Sequence, residues 1–333
     1  MAAKKKPISS GKKIQSSNGE VPKGRRAVII GGVRTPFVRA FGEFMLLDTI
    51  ALAGVATKAL LDKTQVPRSE LDGIVWGGVI LPTLSPNIAR EVALDLKLPA
   101  GVEGYTVTRA CASGLQAITD AVSAIERGDA DVLIAGGSDS TSNAAVNLPN
   151  KAVHALAPLA FGKAKGMQDY LGVLSQLMPI TDILPAMPKI AERTTGEVMG
   201  ESAEKMARRN GVTRQEQDAL AARSHRLAAA AVSSGRFESE VIPVETSKGW
   251  VHADTIIRGD TSEEKLAKLR PVFAKDGTVT AGNATPLTDG ASCILLMSEE
   301  KAEALGFTGL AAFRSWSYVG VDPTDQLLIG PAI

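Results

Sequence analysis

Uninterrupted apolar runs of five or six residues, each followed by a helical pattern, set the tightest limit on what this chain can fold into. Ala27–Gly32, Gly73–Gly78 and Val132–Gly137 are apolar along their whole length, which fits strands covered on both faces rather than strands with one wet side. Asp48 stands before a helical stretch reaching about Leu61, and Pro86-Asn87-Ile88 opens another reaching about Leu96. This alternation predicts an α/β fold, a sheet with helices packed on both faces. The rhythm breaks over 148–268. It resumes as a strand over Thr278 to Met297, and Leu310–Trp316 reads as one more strand.

Composition excludes several classes of function. With 44% hydrophobic residues and only 4% aromatic ones in 333, a sizeable core must be built from Ala, Val, Leu and Ile. A net charge of +1 gives no electrostatic basis for binding nucleic acid. No apolar run approaches the roughly 20 residues of a spanning helix. Residues 1–24 are rich in Lys, Ser and Gly, lack an apolar core, and read as a disordered tail rather than an import signal, which predicts a cytoplasmic protein. The two cysteines form no CxxC pair and the three histidines (His154, His225, His252) have no ligand partners at metal spacing, so no disulfide, zinc site or other metal is expected.

Cys111 is the candidate for chemistry. It lies in Thr-Arg-Ala-Cys-Ala-Ser-Gly-Leu-Gln-Ala (108–117), and from Ser113 onward Leu115, Ile118, Val122 and Ile125 mark one face of a helix closed by Gly128. At a helix N-terminus, unpaired N–H groups and the helix dipole favour a negative sulfur. A free thiol is only a few per cent ionised at neutral pH, so even modest help multiplies the nucleophile. Position alone leaves an inert packed thiol as the alternative. Cys293 sits inside the apolar run Ala291–Met297 and reads as core, and His225, in a helix opened by a Thr213/Glu216 capping box, reads as a surface or packing residue.

Three separated stretches resemble the thiolase family of acyl-CoA acyltransferases and occur in the family's order. They are Arg109–Ala117 with Val132–Ser140; Met199–Glu204 leading into Arg214–Ala219 and Arg223-Ser224-His225; and Leu269–Phe273 with Gly277–Ala291. The resemblance implies a layered αβαβα fold with a tail over 1–25, a first half over 26–147, an inserted loop domain over 148–268, a return over 269–302, and the start of a second half over 303–333. It also implies Cys111 as the acyl-carrying nucleophile, with Arg258, Ala281 and Thr285 contacting coenzyme A, which acts as substrate; no cofactor is held permanently. Thr285 stands where serine is commoner, and Pro286 where glycine is usual.

The family forms dimers, and most similar in its details is the thiolase subunit of fatty-acid oxidation complexes, which implies medium or long acyl chains and a hydratase/dehydrogenase partner subunit; the stretch 155–188 is apolar enough for an acyl-tunnel cover or a partner or membrane contact, with ordinary helix packing as the alternative. The family's Asn-Glu-Ala-Phe, Gly-His-Pro and Cys-Gly-Gly-Gly segments are not found before Ile333. The expectation is therefore a thiolase by descent with an incomplete second half, exposed apolar surface and impaired turnover. Acetoacetyl-CoA thiolase, a ketoacyl synthase-type condensing enzyme and a non-catalytic acyl-CoA binder are the alternatives.

Overall fold

The computed structural model describes residues 24–184 and 191–332. In chain order the principal elements run β1 (Ala27–Arg34), β2 (Val38–Arg39), α1 (Thr49–Thr64), β3 (Gly73–Gly77), α2 (Ile88–Asp95), β4 (Glu103–Val107), α3 (Ser113–Arg127) and β5 (Val132–Ser140). There follow α4 (Asn150–Ala160), α5 (Met167–Gln176), α6 (Met199–Arg209), α7 (Arg214–Ser233), β6 (Val244–Thr246), β7 (Gly249–Val251), α8 (Glu263–Ala267), β8 (Thr288–Ser298), α9 (Glu299–Ala304) and β9 (Ala311–Ala312). The chain divides into two compact units: one holds everything up to Ser140 with Gly235–Thr255 and Thr288–Ser317, the other Thr141–Ser234, Ile256–Leu287 and Tyr318 onward.

The first unit is built on a mixed sheet of order β4-β3-β5-β8-β1-β9, with β2 also paired to β8. β3 runs parallel to β4 and β5, while β8 is antiparallel to both β5 and β1. Alternate residues of the apolar strands feed two separate cores. Ile74, Trp76, Val132, Ile134, Leu295 and Met297 pack with Leu52, Ala56 and Leu60 of α1 and Ile88 of α2. Their neighbours Val75, Leu133, Ala135 and Leu296 pack with Ala117, Ala121, Val122 and Ile125 of α3. This is the sheet covered on both faces that uninterrupted apolar runs demand. The expected caps hold too: Asp48 accepts the Ala51 N–H at 2.8 Å, and Asn87 that of Arg90 at 3.3 Å. The indole of Trp76, fully buried, donates to Ser138 Oγ at 2.8 Å, so its one polar atom is satisfied.

Several expectations are corrected. The strand expected from Thr278 begins only at Thr288, because 278–287 belongs to the other unit as a turn-rich loop. The strand expected over Leu310–Trp316 is a two-residue pairing of β9 with β1, where Ile29 accepts the Leu310 N–H at 2.7 Å. Leu115, expected on the buried face of α3, is 69% exposed. The segment expected as one insertion over 148–268 differs from the observed division, since 235–255 packs in the first unit. The reason is Arg34: its guanidinium reaches Asp254 at 2.7 and 3.1 Å and Glu240 at 3.0 Å, and its backbone bonds to Glu240 and Ile242. Residues 1–23 of the expected tail lie outside the described residues; Arg25 is anchored by Asp131. Of the stretch 155–188, residues 185–188 also lie outside them, while Ala155 and Val173 are buried and Tyr170, Leu171 and Leu174 are exposed.

In the second unit α6 and α7 flank loop 278–287, and Thr213 with Glu216 forms the expected capping box of α7. No helix among the described residues is long and apolar enough to cross a membrane.

Close approach of β3 to the start of α3 gives a direct test. A Cβ on Gly77 would lie 2.4 Å from the carbonyl carbon and oxygen of Ser113, both backbone atoms. Gly77→Ala is expected to cost about 1–3 kcal/mol, measured by denaturant unfolding; wild-type stability in the variant would show that the contact is not tight.

Candidate active site

Cys111 lies between β4 and α3, and the local sequence explains why the chain turns there. Ala110 takes φ +43°, a left-handed backbone that a non-glycine residue adopts only when its surroundings enforce it. Ser113 supplies the enforcement: its Oγ accepts the Arg109 N–H at 2.8 Å and donates to the Ala110 carbonyl at 2.6 Å. Arg109 also reaches forward to Gln116, one turn into the helix. The thiol at the apex of this turn is exposed, immediately before the N-cap residue Ala112, which offers no side-chain cap. The N–H groups of Ala112 and Ser113 are taken by the carbonyls of Arg109 and Ala110 at 3.0 and 3.1 Å, so the helix start acts on the sulfur through its dipole and the N–H groups beyond them.

This turn borders a cleft of about 740 Å³, within the size range of small-molecule sites, lined among others by Phe37, Val79, Leu115, Ser138 and Asp139. Leu115 belongs here rather than to the core. Charged residues on the cleft are Arg34, Glu240 and Asp139, and Asp139 Oδ1 accepts the N–H groups of Val79 at 2.9 Å and Ile80 at 2.6 Å. Burial nonetheless holds its carboxyl above the ordinary carboxylate range. Cys293 lies in β8, and burial pushes its thiol strongly up, so it is unsuited to act as a nucleophile at neutral pH.

Ala281, Thr285 and Arg258 all fall in the second unit. Ala281 and Thr285 are exposed on one turn, and two buried acids hold that turn from below. Glu204 of α6, 4% exposed, accepts the N–H groups of Thr278 at 2.7 Å and Val279 at 2.6 Å. Asp218 of α7, 3% exposed, pairs with Arg214 at 2.7 Å and accepts Asn283 Nδ2 at 2.9 Å. Asn283 then accepts the Thr280 N–H at 2.7 Å, closing the turn. Sequence reasoning did not single out these acids. The available signal was spacing: Glu204 shares the buried face of α6 with Ala207, and a charge on an inward face demands a partner.

His225, expected as a surface or packing residue, is half-buried on α7. Its Nδ1 accepts the main-chain N–H of Arg258 at 3.2 Å, a contact between residues 33 apart that no local pattern announces. Burial and the neighbouring Arg258 cation hold its pKa down. The other two histidines carry no such contact to the loop; His252 rests near Trp250, with ring centroids 6.4 Å apart. Ser247 and Lys248 fall in the β6–β7 turn of the first unit.

A layered α/β unit that presents a lone exposed thiol at a helix start, above a cleft of ligand size, defines a class of thiol-bearing enzyme. The family model described as Thiolase, N-terminal domain matches residues 27–300, and the chain belongs to the thiolase family. A 3-ketoacyl-CoA thiolase of Aliivibrio fischeri is 41% identical over 312 residues, covering 93% of this chain and 70% of that relative. Among solved structures, the acetyl-CoA acetyltransferase of Bacillus anthracis has TM-score 0.75 at 33% identity, covering 90% of this chain and 72% of that one. Human mitochondrial 3-ketoacyl-CoA thiolase in complex with CoA has TM-score 0.72 at 29% identity, covering 86% and 68%. The expected fold class and the expected acyltransferase class are both shown.

Two measurements check the second unit. Glu204→Gln weakens charge-assisted bonds to the loop and is expected to cost about 1–3 kcal/mol, with faster amide exchange at Thr278 and Val279; unchanged exchange would mean the loop is held otherwise. In proton NMR, His225 should titrate below the ~6.5 of a free imidazole. Its midpoint should rise in Arg258→Ala, because removing a nearby cation makes the imidazolium easier to form.

Proposed function

We propose that this chain acts as a 3-ketoacyl-CoA thiolase in which Cys111 carries the acyl group. The observation that supports this reading best is the exposed Cys111 thiol on an enforced turn at the N-terminus of α3, in a chain 41% identical to a 3-ketoacyl-CoA thiolase.

The chemistry follows from the residues. The Cys111 thiolate attacks the 3-keto carbon of a 3-ketoacyl-CoA, forming a C–S bond while the carbonyl electrons move to oxygen. The backbone N–H of Cys111, just ahead of α3, is suited to hold this oxyanion. When the carbonyl reforms, the C2–C3 bond breaks, its electron pair goes to C2, and C2 takes a proton to leave as acetyl-CoA. The thiol of a second CoA gives up its proton to a base and attacks the Cys111 thioester; the acyl-CoA product departs and the thiolate is restored. Arg258 contacts the phosphates of CoA, Ala281 leaves room for the pantetheine arm, and the Thr285 hydroxyl bonds to it.

The biological setting in this reading is fatty-acid β-oxidation, in a cytoplasmic homodimer working with a hydratase/dehydrogenase subunit. Exposed Tyr170, Leu171 and Leu174 on α5 support a contact of stretch 155–188 with that subunit or with a membrane. Likeness to the Bacillus anthracis acetyl-CoA acetyltransferase favours acetoacetyl-CoA as a second substrate.

Intact-mass measurement after mixing the protein with a long 3-ketoacyl-CoA, or separately with acetoacetyl-CoA, tests the reading. The expected result is an acyl adduct with the long substrate that disappears in Cys111→Ser. An adduct that survives that substitution, or none with either substrate, would refute Cys111 as the acyl carrier.

A further inference from the structure

Arg258 is an exposed arginine on a loop, and a long, mobile side chain on a mobile backbone makes a poor anchor for a phosphate, because its ordering must come out of the binding energy. Its surroundings reduce that cost. His225, on α7, reaches across 33 residues of sequence so that its Nδ1 accepts the Arg258 main-chain N–H at 3.2 Å. On the far side of the loop residue, the Arg258 carbonyl accepts the Thr261 N–H at 3.1 Å. Both main-chain polar groups of Arg258 are therefore fixed, one by a helix and one by its own turn.

The tautomer required by that first bond has a second effect. An imidazole that accepts at Nδ1 carries its proton on Nε2. The Arg258 guanidinium stands 3.5 Å from that Nε2 and, facing a donor, finds no acceptor there. Asp260, the acid nearest on the loop, is paired with Lys265 at 2.8 Å. Among the described residues no carboxylate lies within ion-pair distance of the Arg258 guanidinium, whereas Arg34 has two and Arg214 one. The backbone is pinned, and the cationic fork, though its charge is felt by Asp260, forms no ion pair among the described residues.

We propose that His225 is a positioning residue that presets Arg258 for the phosphates of coenzyme A. This rests on the reading of Arg258 as a CoA contact and adds the residue through which that contact is made. His225 does not touch the ligand; it lowers the ordering cost of the residue that does.

Calorimetric titration of the full chain with CoA, and in parallel with pantetheine, which has the same arm and no phosphate, tests this. His225→Leu removes the acceptor and should weaken CoA about five- to tenfold while leaving pantetheine as in the wild type. His225→Asn, which offers Oδ1 in place of Nδ1, should restore CoA affinity to within about twofold of wild type. In an Arg258→Ala background His225→Leu should cost nothing further.

If Arg258→Ala weakens CoA but His225→Leu does not, the positioning role is wrong and the CoA reading of Arg258 stands. If Arg258→Ala itself leaves CoA binding unchanged, the reading of Arg258 fails and the proposal falls with it. Equal weakening of CoA and pantetheine by His225→Leu, or no rescue by His225→Asn, would show a general loss of structure and overturn the proposal.

Discussion

In the first unit a helix terminus rests directly on a strand, with no side chain between them. Gly77 makes this possible: any Cβ there would overlap the backbone of Ser113 and Gly114. A similar constraint acts at Gly136, where a Cβ would meet the Ser292 carbonyl oxygen and the Trp76 ring. Because the start of α3 is seated this close, the chain leaving β4 has very little length in which to reverse. Ala110 absorbs the reversal in a left-handed conformation, and Ser113 holds it with two hydrogen bonds. The exposed thiol of Cys111 is thus a consequence of sheet packing, and the strain it rides on is borne by the two cores on either side of the sheet.

The second unit solves a comparable problem with buried charge instead of close packing. Its loop 278–287 has little regular structure and could not hold Ala281 and Thr285 in place alone. Glu204 and Asp218, each almost without solvent, spend their acceptor capacity on loop N–H groups, the Asn283 amide and Arg214. Removing a carboxylate from water is costly unless such partners meet it. That cost works in favour of order, since the partners are satisfied only in one loop conformation. His225 treats the Arg258 loop in the same manner with a neutral acceptor. In both units, then, Cys111, Ala281, Thr285 and Arg258 sit on irregular backbone whose conformation is set by hydrogen bonds from neighbouring side chains.

Much of this was legible in the residues. Uninterrupted apolar runs at Gly73–Gly78 and Val132–Gly137 called for strands buried on both faces, and Asp48, Asn87 and the Thr213/Glu216 pair marked helix starts that the structure keeps. Such signals are local, carried by residues one turn or one pleat apart. Failures came where the deciding contact was distant. Thr278–Leu287 has a strand-like composition in part, yet Glu204 captures its N–H groups from 74 and 75 residues away and bends it into a turn. Residues 235–255 read as part of an insertion, but Arg34 draws them to β1 across more than 200 residues. Leu115 follows the helical spacing of α3 faithfully and still faces the cleft, where the strands beneath carry Gly77, Gly136 and Gly137.

By itself the sequence determined the class of fold, the position of Cys111 at a helix start and the family words around it, since periodicity, capping and motif are properties of neighbouring residues. Tertiary structure alone decided that Ala110 turns left-handed and that two acids and a histidine secure the loops carrying Ala281, Thr285 and Arg258. These depend on hydrogen bonds and burial between segments far apart in the chain, and such contacts exist only once the chain has folded.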